Sequence, residues 1–111
     1  MNDDEIRAKH EALLDRMCRA GWLSSYSYKD GQGFLLKWTP DGDWQAEHIK
    51  GLSGLYDIHE QPFDNLITIP EGIAESLIWK RTVSKVEAFG PPLSKYEEQF
   101  LFHVLMRWHV A

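Results

Sequence analysis

Near the start of the chain, Ile6, His10, Leu13, Leu14 and Met17 recur at spacings of three and four and so share one face, which predicts a helix over residues 3–20. Asn2 is placed to cap it with Glu5 at the reciprocal position, and Gly21 is a natural stop. Glu5, Ala8, Ala12, Asp15, Arg16 and Arg19 fall on the opposite side and predict a solvated face of mixed charge. The pattern then changes. Two short aromatic and apolar runs, Trp22–Tyr28 and Phe34–Trp38, flank Lys29-Asp30-Gly31-Gln32-Gly33, and an Asp-Gly pair between β-prone runs signals a hairpin. Trp22, Ser24, Tyr26 and Tyr28 are expected on one face of its first strand.

Thr39-Pro40 supplies a helix cap followed by proline at the first helical position, and Trp44, Ile49 and Leu52 are expected to line a helix over about residues 40–52. Gly51 to Pro70 reads as an irregular connector, with a short strand at Leu66 to Ile69. Beyond it, Ile73, Leu77, Ile78, Thr82, Val86 and Phe89 fit one helical face, whereas Leu77, Trp79, Arg81 and Val83 alternate as a strand would. Helix is the favoured reading, ended by Gly90-Pro91-Pro92. Ser94 and Glu97 form a capping box for a last helix from about Leu93 to Val110. Its Phe100–Met106 run is apolar nearly all round and must be buried, either at the centre of the monomer or between two copies of the chain.

These elements make one α+β domain across residues 1–111, since splitting a chain of 111 residues would leave each half too small for an adequate core. At 43% hydrophobic, 13% aromatic and 26% charged, the chain is too apolar for disorder, and its apolar runs are too short for a membrane span. The acidic Asn2-Asp3-Asp4-Glu5 start is unlike a secretory signal, so a cytoplasmic location is expected. One cysteine excludes an internal disulfide framework and a cysteine-based zinc cage.

The formal charge is −5, and residues 1–51 and 52–111 contribute −2 and −3, so charge marks no domain boundary and supplies no global field for nucleic acid. No catalytic set can be assembled by position. Cys18 reads as a small hydrophobe at the core edge. His48 and His59 with Glu47, Asp57 and Glu60 match no standard zinc spacing, and His103 and His109 fall on different faces of the last helix. There is no phosphate loop, dinucleotide fingerprint or nucleophile elbow. The expectation is therefore a protein with no enzymatic activity, cofactor or metal.

The order Leu13-Leu14-Asp15-Arg16-Met17, Ala20-Gly21-Trp22-Leu23, Asp30-Gly31-Gln32-Gly33, then Trp38-Thr39-Pro40-Asp41-Gly42 and Ala46 resembles the back half of a winged-helix domain of the MarR and PadR regulator type. The resemblance covers roughly residues 5–52. It implies a winged-helix-like α+β fold: N-terminal recognition helix, β-hairpin wing, middle helix and a C-terminal helical pair, with dimerisation through the terminal helix. Those families place two helices ahead of the recognition helix, and here the sequence starts only a few residues before it. On that resemblance the DNA-contacting set is Arg7, Lys9, Arg16, Arg19, Lys29, Gln32 and Lys37, with lysine and arginine neutralising phosphates.

Two functions stand side by side. One is a DNA-binding or transcription-accessory protein. The other is a protein-interaction module, an adaptor or inhibitor, which the acidic balance favours. The aromatic group Trp22, Tyr26, Tyr28, Phe34, Trp38 and Trp44 is expected to build the core beneath the hairpin. Any ring left at the surface would mark a contact site.

Overall fold

A computed structural model describes residues 3–54 and 69–106. The architecture is α+β, in the order α1 (Asp3–Arg19), β1 (Leu23–Lys29), β2 (Gly33–Trp38), α2 (Pro40–Gly54), α3 (Glu71–Ala74), α4 (Leu77–Glu87) and α5 (Lys95–Leu105). Among the described residues, no helix is long and apolar enough to cross a membrane. The expected Asn2 cap and all of the expected Leu66–Ile69 strand except Ile69 lie outside the described residues, and Ile69 is in no regular element.

α1 buries His10, Leu13, Leu14 and Met17, the face its spacing predicts. It ends in a Schellman arrangement, with Trp22 N–H donating to Met17 C=O (3.1 Å) and Gly21 N–H to Cys18 C=O (3.0 Å). Gly21 sits there at φ +85°, a left-handed conformation that a side chain disfavours. The chain reverses directly into the antiparallel β1–β2 hairpin, whose register pairs Tyr26 with Leu36, Tyr28 with Phe34 and Lys29 with Gly33.

A register shift between Leu23 and Ser25 corrects the simple alternation expected for the first strand. The extra residue, Ser24, is exposed, and Leu23 and Tyr26 turn to the same inner side although they are three residues apart. Inside, Phe34 meets Tyr28 and Tyr26 edge-on at centroid distances of 5.1 and 6.1 Å.

α5 is the centre of the fold. Every residue from Phe100 to Met106 is buried within the single chain. The His10 ring stacks on Phe100 at 3.9 Å and its Nε2 lies 2.8 Å from the Tyr96 hydroxyl, which ties α1 to α5. Trp79 packs edge-on against Phe102 and does the same for α4. The capping box forms as expected, with Glu97 N–H donating to Ser94 Oγ (3.2 Å) and Ser94 N–H to Glu97 Oε1 (3.0 Å). The helix runs from Lys95 to Leu105, so Leu93 precedes it, while residues 107–110 lie outside the described set.

Three further expectations are corrected. The helix expected across residues 73–89 is two helices, because the Ser76 side chain accepts from Trp79 N–H and starts α4 afresh. Of the expected face, Ile73, Thr82 and Val86 are buried and Ile78 packs against the core, whereas Leu77 is 61% exposed, Phe89 beyond the end of α4 is 39% exposed, and Trp79 is buried instead. Gly51–Gly54 belongs to α2 rather than to a connector. On α2 the buried residues are Gly42, Ala46 and Ile49, and Trp44 faces outward, 62% exposed.

Candidate interaction surface

The residues expected to touch DNA do not converge. Arg16 is 8% exposed, which corrects its assignment to the solvated face. Three residues beyond Leu13, it turns inward, and its guanidinium donates to the carbonyls of Val86 and Pro91. Arg7 is exposed, but its guanidinium pairs with Glu11 at 3.0 Å and lies 3.8 Å from the centroid of the Tyr28 ring. Lys9 and Arg19 are exposed on α1. Arg19 stands twelve residues from Arg7, about 18 Å along the helix. Lys29 and Lys37 share the outer face of the hairpin with Ser25, Ser27 and Leu35, and Gln32 is exposed at its tip beside Asp30.

Cys18, Tyr26 and Tyr96 lose protons less readily than usual. Burial, then Asp15, pushes the Cys18 thiol up, away from the nucleophilic thiolate. Burial, then a 2.6 Å hydrogen bond donated to Asp15, pushes the Tyr26 phenol well above its ordinary range. Burial raises Tyr96 as well. Among the described residues no three metal-ligating side chains come together, and His59, Asp57 and Glu60 lie outside that set.

The surface that stands out is the outward side of α2. Thr39 N–H donates to Trp22 C=O (3.0 Å) and Gly42 N–H to Thr39 Oγ1 (3.0 Å), so the helix is anchored at its first turn onto the corner between α1 and the hairpin. Gln45 Nε2 donates to the Thr82 hydroxyl, which joins α2 to α4. With Ala46 and Ile49 facing the core, residues 44, 47, 48 and 51 face away from it. The Trp44 and His48 rings pack together at 3.9 Å between centroids. Among the described residues, Trp44, Glu47, His48, Gly51, Leu52 and Ile78 line a shallow, open groove there.

Sequence reasoning assigned Trp44 to the core, although one available signal argued otherwise. Trp44 and Ile49 are five residues apart, which on a helix separates them by about 140°. No known protein family, curated protein or solved structure matches the chain.

Proposed function

We propose that the protein is a protein-interaction module, an adaptor or inhibitor that docks a segment of another protein on the outward face of α2. The observation that carries this reading is Trp44, a large ring 62% exposed beside an apolar groove, on a helix whose opposite side is fixed in the core. Tryptophan is the residue type most often found at the energetic centre of protein interfaces, and a rigid helix presents it at little entropic cost. Because Trp44 is not part of the buried core, Trp44→Ala removes the contact without opening the core.

The test is a pull-down from the source organism comparing the wild-type chain with Trp44→Ala, with and without nuclease. A protein retained by the wild type, unaffected by nuclease and lost with Trp44→Ala is the expected result. Retention that survives the substitution, or disappears with nuclease, overturns the reading.

A second reading, winged-helix-like DNA binding in a transcription-accessory role, rests on Lys29 and Lys37 sharing the outer face of the hairpin with Gln32 at the tip. Phosphate contacts of this kind weaken steeply with salt. For this reading, a gel shift at low salt should retard random duplex DNA, and Lys29→Ala with Lys37→Ala should abolish the retardation. No retardation at low salt ends it.

A further inference from the structure

We draw no further inference here: the strongest candidate, the shallow groove on the outward side of α2 beside Trp44, is bordered by the acids of α2 and by the exposed Lys80, Arg81 and Lys85 of α4, so its charge favours no one occupant and nothing in the structure shows what covers it.

Discussion

A Gly42→Ala chain is expected to lose roughly 3 kcal/mol of stability, at the upper end of what overpacking a close contact costs. The added methyl would lie 1.9 Å from the Trp22 carbonyl oxygen and 2.7 Å from its carbon, and both are backbone atoms that no rotamer change can move aside. Relief would require the first turn of α2 to lift off the corner where Thr39 N–H binds that same carbonyl. It would therefore disturb the end of α1, the start of β1 and the cap of α2 together.

The sign is informative. Helix propensity alone predicts that Gly→Ala within a helix stabilises by about 1 kcal/mol, so a large loss isolates the steric contact. Thermal or urea unfolding checks it, with a fall in melting temperature of more than about 10 °C expected for a domain of this size. Gly51→Ala on the same helix is the internal control and should be neutral or stabilising. A Gly42→Ala chain as stable as wild type would mean that α2 does not seat on Trp22 as described.

What was legible in the sequence was local chemistry that is self-sufficient within a few residues. The Gly21 stop, the Asp30-Gly31 hairpin, the Thr39-Pro40 start and the Ser94/Glu97 box each bring donor, acceptor and backbone conformation together within one turn, and each formed. Helix phase was less legible, because it depends on which residue starts the helix. Thr82 and Val86 are buried as their spacing predicts, but with α4 started afresh by the Ser76 hydroxyl, Trp79 joins that buried row and Leu77 and Phe89 drop out of it.

The central position of α5 was open from its composition and was decided by packing: α1, α2 and α4 between them cover a helix that is apolar all round. The candidate site was read least well. Trp44 is a large apolar residue on a helix that packs against the core, and hydropathy alone sends such a residue inward. Its outward direction follows from helix geometry relative to Ala46 and Ile49. The groove beside it needs Ile78 from a helix some thirty residues away, which no local pattern supplies.

Arg16 illustrates the opposite error, a charge expected in solvent that holds the interior together. Its Nη2–H donates to Pro91 C=O at 2.6 Å, its Nε–H to Val86 C=O at 3.3 Å, and its Nη1 lies 3.9 Å from Glu97 Oε2. One planar group thus joins α1 to the C-terminal end of α4, to the Gly90-Pro91 link and to the first turn of α5. The cation at the end of α4 is also on the favourable side of that helix dipole.

Arg16→Met, which keeps the apolar stem, is expected to cost about 3 kcal/mol, because it leaves two inward carbonyls without this donor and Glu97 without its cation. Arg16→Lys should recover only part of the loss, since one ammonium cannot reach three acceptors in a fixed fork. Gly90 provides the check on mechanism. A Cβ there would lie 2.8 Å from the guanidinium carbon, so Gly90→Ala is expected to destabilise the wild type and to cost less in the Arg16→Met background. Chemical denaturation of the four chains gives the coupling, which for groups in direct contact should be about 1 kcal/mol. Strict additivity would place the Arg16 side chain away from Gly90 and remove it as the clamp between α1 and the α4–α5 link.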